Sequence, residues 1–435
     1  MIKMYMRQAW TLIKQNRLFS MIYIIGAGLS VSLIMIVFII YYIKFAPIYP
    51  EYNRDKTMVL KRISVVFKDN GYSRSSLSYH VGHDILPQMK HVKDIAMICV
   101  SSSYLNDNMI RMPKGKENIR ITPLYVNDGY WRVFTFNFIS GRPFTAADER
   151  AQFKKAVISE SLAKKIFGST DVQGRKIENN GQKYEISGVV EDVSQATPNT
   201  YADLWIVIPK SVGSDADNQH NQEGRMGGYF QYYMTVRDNK EKKLLKDEIQ
   251  QYFKKLNLAY KKDSITFDIM GQPDTYIESN FRNNDEVPNF RSAINDFLVM
   301  MFALLFVPTL NLCGMISSRM EGRMSEMGIR KAFGARRKEL LRQILWENMI
   351  LSSMGAILGL LFSYIFVIAS SNWILRLFDT SGGDGKTTIT LEMLFNPTII
   401  CIAIAITFLL NIISAIIPAL LSLRHGIIHS LNTKR

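Results

Sequence analysis

Four long apolar segments constrain this chain more than any other feature of its sequence. Residues 19–43, 348–370 and 394–423 contain no charged side chain. The remaining segment, residues 293–316, contains Asp296 close to its start. A helix of about 20 apolar residues is long enough to span the hydrocarbon core of a bilayer. The sequence therefore predicts a membrane protein with four transmembrane α-helices.

The polar residues 46–290 separate the first apolar segment from the other three, which gives a 1 + 3 layout. Within them, Asn180-Gly181 supplies the positive φ angles of a hairpin turn, and Ser159 is a suitable N-cap for a helix that ends at Gly168. We therefore predict a large α+β domain of two lobes between helices 1 and 2. Its β-rich runs are residues 58–67, 95–104, 119–126, 156–159, 184–190, 204–208 and 229–236. A second helix, residues 240–256, is expected to bury Leu244, Leu245, Ile249 and Phe253.

The net charge of +15 is concentrated beside the apolar segments. Residues 1–18 carry four Lys/Arg and no acid, and residues 319–342 carry eight Lys/Arg against three Glu. Such residues mark the cytoplasmic side of membrane helices, so this pattern indicates topology and not a nucleic-acid footprint. The predicted order is a cytoplasmic amphipathic lead (1–18), helix 1 (19–43), a periplasmic domain (46–290), helix 2 (293–316), a cytoplasmic coupling segment (319–347), helix 3 (348–370), an external loop (371–393), helix 4 (394–423) and a cytoplasmic tail (424–435).

The alternative for the first apolar segment is a cleaved signal peptide. Its apolar run is too long for a signal-peptide core, and the Lys44-Phe-Ala-Pro that follows is a poor cleavage site. We interpret the segment as an uncleaved anchor.

The sequence predicts no catalytic centre, metal site or cofactor site. The three cysteines, Cys99, Cys313 and Cys401, lie in apolar or strand-like runs. The histidine pair 80/83 lacks an obvious third ligand, and the pair 425/429 lies at the predicted membrane edge. Residues 381–387, SGGDGKT, resemble a P-loop but have Thr380 where that motif needs its first glycine. The chain is therefore predicted not to be an enzyme, so a partner supplies the energy for any active work.

The connector 319–347 has features that charge alone does not explain. Met320, Met324 and Met327 continue the helical face of the preceding apolar segment, and Gly328 and Gly334 permit the chain to bend. Its basic residues Arg330, Lys331, Arg336 and Arg337 are expected to face water or a partner. A positive-inside anchor without a partner is the alternative, but it would not require the glycines and apolar residues.

Small residues form a ridge on the third predicted helix. Gly355 and Gly359 have the GxxxG spacing, and Ser363 follows four residues later. Such a ridge lets helix backbones approach closely within a membrane. We predict that these three residues pack against another helix.

Two stretches resemble the MacB/FtsX-type permeases of ABC transporters, the type VII or mechanotransmission class. Residues 129–209 contain GYWRVFTFNFISGRPFTAADE, KKAVISESLAKKIFG, QGRKIENNGQKYEISGVVEDV and LWIVIP, in the order of a MacB-like periplasmic core domain. The connector contains MSEMGIRKAFGARRKELLRQILWEN, which is similar to the block E-x-G-I-R-K-A-x-G-A-x-R of that family. With the 1 + 3 layout, the resemblance covers essentially the whole chain.

The resemblance implies an inner-membrane permease subunit without a cofactor of its own, since ATP is bound by a separate cytoplasmic ATPase. It implies a homodimer or heterodimer that exports or releases an envelope substrate such as a drug, peptide or lipoprotein, with a periplasmic adaptor and an outer-membrane component as further partners. The implied ATPase coupling element consists of Glu326, Gly328, Ile329, Arg330, Lys331, Gly334 and Ala335.

Two departures from the family and two alternative functions remain. A fused MacB begins with its own ATPase domain, whereas about 18 residues precede the first span here, so we expect the ATPase to be a separate chain. The tail RHGIIHSLNTKR differs from the usual family ending, which leaves a contact between tail and ATPase open. The alternatives are an FtsX-like regulator of a periplasmic cell-wall hydrolase that transports nothing, and a membrane-anchored sensor without any ATPase.

Overall fold

The structure is a computed structural model. It describes Thr11, Lys14 and residues 17–67, 71–100, 109–111, 118–210, 226–282, 287–321, 324–371, 373 and 396–424. The chain divides into two compact units. We call the unit built from residues 44–293 the sheet domain, and the unit built from the long helices before and after it the helical unit.

The helices are α1 (Arg17–Phe45), α2 (Tyr130–Val133), α3 (Ala146–Arg150), α4 (Glu160–Phe167), α5 (Glu241–Ala259), α6 (Tyr276–Phe281), α7 (Phe290–Glu321), α8 (Met324–Ala332), α9 (Arg337–Ala369) and α10 (Pro397–Arg424). The strands are β1 (Thr57–Leu60), β2 (Ile63–Val66), β3 (Tyr72–Leu77), β4 (Asp94–Cys99), β5 (Met109–Arg111), β6 (Asn118–Arg120), β7 (Pro123–Val126), β8 (Phe138–Gly141), β9 (Lys155–Ser159), β10 (Lys176–Asn179), β11 (Gln182–Val190), β12 (Leu204–Val207), β13 (Gly227–Gly228), β14 (Phe230–Thr235), β15 (Thr266–Asp268) and β16 (Asp274–Thr275).

One mixed sheet runs through the sheet domain. Its strand order is β15-β2-β3-β14-β4-β7-β12-β9-β11-β10-β5-β6, with β1, β8, β13 and β16 attached beside this path. The pairs β9–β11 and β7–β12 are parallel, and the other pairs are antiparallel. Because the hydrogen bonds connect all these strands, the division of the domain into two lobes stays a prediction.

Both faces of the central strands are covered, because alternate side chains enter two separate cores. In β12, Leu204 and Ile206 belong to one core, and Trp205 and Val207 belong to the other. Side chains alternate across a strand, so a strand buried on both faces consists of a continuous apolar run. Helices α4 and α5 cover the first face, and α2 and α6 cover the second.

The predicted hairpin turn and the predicted helix in the middle of the domain are confirmed. Asn180 and Gly181 have φ angles of 50° and 72° and join β10 to β11. The Ser159 hydroxyl accepts a hydrogen bond from the backbone N–H of Leu162 at 3.3 Å, and Gly168 ends α4 with φ of 70°. These local signals determine their elements without help from distant residues.

The β-rich run 58–67 forms two strands, separated by two residues. The chain forms β1 and β2, and residues Lys61 and Arg62 between them bond to the Gln272 side chain. Gln272 accepts from the backbone N–H of Lys61 at 2.8 Å and donates to the carbonyl of Arg62 at 2.8 Å. A partner 210 residues away therefore interrupts the strand. The run 119–126 is likewise divided between β6 and β7.

One predicted core residue of α5 lies on the surface instead. Leu245, Ile249 and Phe253 are buried with a spacing of four residues, whereas Leu244 is 50% exposed. Its neighbour Leu245 already occupies the inward position, and adjacent residues of a helix do not share a face. The prediction for Leu244 is therefore wrong.

The helical unit contains α1, α7, α8, α9 and α10. Among the described residues, three helical stretches are long and apolar enough to cross a membrane by length and composition: Ser20–Phe45, Lys338–Ala369 and Pro397–Leu420. A shorter apolar stretch, Ile294–Phe306, lies within α7. The four-span layout therefore stays a prediction. Nearly all of the predicted external loop 371–393, of the lead 1–18 and of the tail 424–435 lies outside the described residues.

Candidate functional site

The connector 319–347 folds as a helical elbow, which we define as residues 324–343. Helix α8 ends at Ala332, and α9 begins at Arg337. Gly334 has φ of 87°, a left-handed conformation that favours glycine, and the N–H of Ala335 donates to the carbonyl of Arg330 at 3.0 Å. The chain therefore reverses at Gly334, and α9 packs back toward α8.

The inner face of the elbow belongs to the core of the helical unit. Met327, Leu340 and Ile344 are buried together with Met320 of α7. The same core includes Tyr23 of α1 and two alanines of α10, Ala415 and Ala419. The elbow therefore shares a core with three long helices, α1, α7 and α10, and is not a loose loop.

Gly328 occupies a position that the sequence analysis did not expect. It lies within α8 and is buried, so the chain does not bend there. The only predicted bend that the described residues of the elbow show is at Gly334. The expected hinge role of Gly328 is therefore wrong, and its lack of a side chain suits a buried helix face instead.

Arg330 connects the two helices of the elbow, a contact that the sequence analysis did not predict. Its Nη2 donates to Glu326 Oε1 at 2.6 Å, and its Nη1 donates to Gln343 Oε1 at 2.6 Å. Gln343 Nε2 in turn donates to Glu347 Oε1 at 2.9 Å, and Glu347 is 2% exposed. The Arg330 side chain is also 37% exposed, so the expectation that it faces water or a partner stays a prediction alongside this contact between α8 and α9.

The outer face of the elbow presents two large apolar side chains to solvent. Phe333 is 89% exposed and Ile329 is 49% exposed, and the two residues are four apart. We call this pair the elbow patch. Gly334 is exposed and Ala335 is half-buried beside it, and the exposed cations nearby along the chain are Arg336, Lys338 and Arg342. Lys331 lies in α8, but its side chain and that of Arg337 are not among those that the structure describes.

Sequence reasoning missed Phe333, although a signal for it was present. At about 100° per residue, Ile329 and Phe333 are about 200° and 240° around a helix from the buried Met327. The elbow packs in the core through the face that carries Met327, so it does not need apolar side chains on the opposite face. The positions of Ile329 and Phe333 on that opposite face therefore indicate that the pair is available to another surface.

The predicted small-residue ridge lies against α1. A Cβ added at Gly359 would be 2.3 Å from the carbonyl oxygen of Gly28, and one added at Gly355 would be 2.9 Å from that of Ile24. The two backbones thus approach within a distance that only glycine allows. Ser363 is fully buried, and its hydroxyl donates to the carbonyl of Leu360 in its own helix at 2.8 Å.

The described part of the chain contains no group of three or more His, Cys, Asp or Glu side chains that would hold a metal ion. His80 and His83 both contact Asp84, at 2.6 and 2.9 Å. His425, His429 and the P-loop-like residues 381–387 lie outside the described residues. Buried Cys99 and the two other cysteines are free thiols.

Two family models match the chain. The MacB-like periplasmic core domain matches residues 20–252, which is more than half of the chain, and the FtsX-like permease C-terminal region matches residues 298–427. These matches include the sheet domain in large part and the whole elbow.

Individual relatives show the same kinship at low identity. The uncharacterised ABC transporter permease YknZ of Bacillus subtilis (strain 168) is 23% identical over 290 residues, which cover 66% of each chain. The macrolide export ATP-binding/permease protein MacB of Chromobacterium violaceum is 22% identical over 308 residues, which cover 69% of this chain and 42% of MacB. The chain thus spans just under two thirds of YknZ and less than half of MacB.

Among solved structures, the periplasmic region of MacB from Actinobacillus actinomycetemcomitans is 16% identical and has a TM-score of 0.33. The alignment covers 53% of this chain and 94% of that structure. A likeness of this degree carries no argument about the fold. The family assignment depends on the sequence matches alone.

Proposed function

The chain belongs to the MacB/FtsX-type family of ABC transporter permeases, and from this membership we propose that it couples ATP hydrolysis by a separate cytoplasmic ATPase to movement of its sheet domain. In this proposal four transmembrane helices in a 1 + 3 layout cross the inner membrane, both termini are cytoplasmic and the sheet domain is periplasmic. A second permease subunit completes the assembly. Movement of the sheet domain exports or releases an envelope substrate such as a drug, peptide or lipoprotein.

The single observation that carries the proposal is the elbow patch. Burial of a Phe or Ile side chain is worth about 1.5–3 kcal/mol, and Phe333 and Ile329 leave much of this unused in the isolated chain. Interfaces concentrate their binding energy in a few aromatic and apolar anchors with a polar rim. A patch of this kind, with cations beside it, suits a cytoplasmic protein surface that offers an apolar pocket with acidic groups at its edge.

The inner side of the same elbow supports a coupling role. Arg330 fixes α8 to α9 through Glu326 and Gln343, and Met327 and Leu340 are packed in the core of the helical unit. A force applied to the elbow patch therefore acts on several long helices at once. Packed cores transmit displacement because they contain few voids and compress little.

Co-purification tests this function. The full-length chain with an affinity tag is expressed in its native cell, extracted in mild detergent and compared with Phe333→Asp. We expect an ATP-binding subunit to co-purify with the unaltered chain and its recovery to fall about tenfold or more in the variant, since loss of one interface anchor costs about 2 kcal/mol. Phe153→Asp is the matched control, because Phe153 is a 58% exposed phenylalanine of the sheet domain.

The outcome separates the proposal from its alternatives. Equal recovery of the ATPase with Phe333→Asp would remove the elbow patch from the interface. Absence of any ATPase from the unaltered chain would favour the sensor without an ATPase.

The FtsX-like regulator is a second candidate, because the FtsX-like permease C-terminal model matches residues 298–427. It retains the elbow and the ATPase and differs only in what the sheet domain acts on. Capture of a cell-wall hydrolase by the full-length chain would favour the regulator, and capture of a periplasmic adaptor would favour export.

A further inference from the structure

A buried carboxylate, Glu51, lies in the segment that follows α1 and is bonded to three separate parts of the sheet domain. Glu51 is 1% exposed. Its Oε2 accepts from Arg54 Nε at 2.9 Å and from the Tyr276 hydroxyl at 2.5 Å. Its Oε1 accepts from the Thr200 hydroxyl at 3.1 Å. One side chain thus connects residues just after α1, residues just before β12 and helix α6, which precedes α7.

The donors around Glu51 are themselves held in place. Arg54 is 5% exposed, its Nη1 donates to the carbonyl of Ala46 at 2.5 Å, and its guanidinium lies over the Tyr276 ring with Cζ 4.8 Å from the centroid. Burial raises the pKa of Tyr276 well above its ordinary value, and the nearby charge of Glu51 raises it further. The hydroxyl of Tyr276 therefore remains protonated and donates to Glu51 at any physiological pH.

Two further contacts stiffen the same region. The rings of Phe45 and Phe281, which both belong to the sheet domain, are stacked with centroids 5.2 Å apart. Arg282 forms a bidentate ion pair with the buried Asp274: its Nε donates to Oδ2 at 2.5 Å and its Nη2 donates to Oδ1 at 2.7 Å. The segment 274–282 is therefore held together by its own ion pair and is also hydrogen-bonded to Glu51.

We propose that Glu51 is a joint that holds the segment after α1 (residues 46–54) and helix α6 together, so that the two chain connections on either side of the sheet domain move as one body. Apolar groups of the same volume would stabilise a protein interior at least as well as a buried ion pair. What a carboxylate with three directional donors adds is a fixed geometry. This inference depends on the contacts of the sheet domain alone and stands independently of the ATPase.

A joint differs from ordinary packing in one measurable way: local opening of one segment must increase local opening of the other, and the reverse must also hold. If Glu51 couples the two segments, weakening the bond from one side must loosen the other side, where no residue was changed. Amide hydrogen exchange measures such local opening segment by segment. The full-length chain in detergent micelles or nanodiscs is the material for the test.

The test compares Tyr276→Phe with Glu51→Gln. Tyr276→Phe keeps the ring under Arg54 and removes the hydroxyl, which donates to Glu51 and accepts from Asn199 Nδ2 at the long distance of 3.5 Å. We expect exchange in residues 46–56 to rise by about three- to tenfold, as for the loss of the buried hydrogen bond to Glu51. Glu51→Gln is expected to raise exchange in residues 274–282 by a similar factor.

The matched control is Tyr232→Phe, which also removes one buried tyrosine hydroxyl bond, that to the carbonyl of Ser78, from the same domain. It is expected to leave both segments unchanged. The proposal is overturned if the change stays within the mutated segment, if neither segment responds, or if Tyr232→Phe has the same effect.

Discussion

Phe333 is the residue on which the functional account depends most. A single exposed apolar side chain is ordinary on a protein surface. The exposure of Phe333 is significant for two reasons. Ile329, four residues earlier, is also exposed, and the core of the helical unit is already filled by residues such as Met327 and Leu340. The elbow therefore presents an apolar surface that its own fold does not need.

Gly334 has a backbone conformation that residues with a Cβ rarely adopt. Its φ of 87° would strain the backbone of any other residue, although an added Cβ would meet no atom within 4 Å. We expect Gly334→Val to destabilise the elbow by about 1–2 kcal/mol, the cost of a left-handed conformation for an L-residue. The measurement is hydrogen exchange of residues 324–343 in the full-length chain. Gly334→Asn is the control, since asparagine tolerates this conformation, and equal behaviour of the two variants would contradict the argument.

Asp148 gives a prediction about pH. Burial alone would raise the pKa of its carboxyl, but hydrogen bonds from Lys155 Nζ and the Thr145 N–H, both at 2.8 Å, outweigh burial and lower the pKa below its ordinary 3.8. The charged Asp148 carboxyl then contributes its full stabilisation at pH values above its pKa in the unfolded chain. This contribution is lost as pH falls through its lower pKa in the folded chain. Asp148→Asn should therefore cost about 1 kcal/mol at neutral pH, and the difference from the unaltered chain should begin to shrink as pH falls below 3.8 and vanish below the lowered pKa of the folded chain.

The measurement for Asp148 is denaturant unfolding of the full-length chain over a pH series, followed by the fluorescence of Trp131 and Trp205 in the sheet domain. Glu178→Gln is the control, because Glu178 is an exposed carboxylate of the same domain. A difference that persists unchanged below pH 3 would show that the charge of Asp148 is not the cause.

At the scale of elements, the contact between α1 and α9 is the most sharply specified. Gly359→Ala would place a Cβ 2.3 Å from the Gly28 carbonyl oxygen, so the helices must move apart. We expect a loss of about 1–3 kcal/mol, the usual cost of overpacking. Thermal unfolding of the full-length chain in micelles, followed by circular dichroism, measures it. Gly314→Ala in α7 meets no atom within 4 Å and should be neutral or slightly stabilising; equal loss in both variants would count against the contact.

The elements that the sequence predicted well are those determined by local chemistry. Ser159 and Gly168 enclose α4, and Asn180-Gly181 closes a hairpin, because each of these residues acts on its own backbone. The break between β1 and β2 was not predictable, since it is made by Gln272 from the far end of the domain. Arg330 is similar, because its partner Gln343 is reached only after the chain has reversed at Gly334.

At the scale of the whole molecule, our two proposals assign different tasks to the two compact units. We propose that the elbow of the helical unit binds a partner, and that Glu51 in the sheet domain holds the segment after α1 and helix α6 together. The apolar segments and the family motifs could be recognised from the sequence. Phe333 as an exposed residue and Glu51 as a shared hydrogen-bond acceptor could not, because both depend on how residues distant in sequence pack together.

Photo-crosslinking is the most direct test of contact between the elbow patch and an ATPase. A photo-crosslinking amino acid is placed at position 333 of the full-length chain in its native cell, and the same probe at position 153 serves as the comparison. We expect an adduct between position 333 and a cytoplasmic ATP-binding subunit, and no such adduct from position 153. An adduct of position 333 with a periplasmic protein, or the absence of any ATP-binding subunit among its adducts, would contradict this expectation.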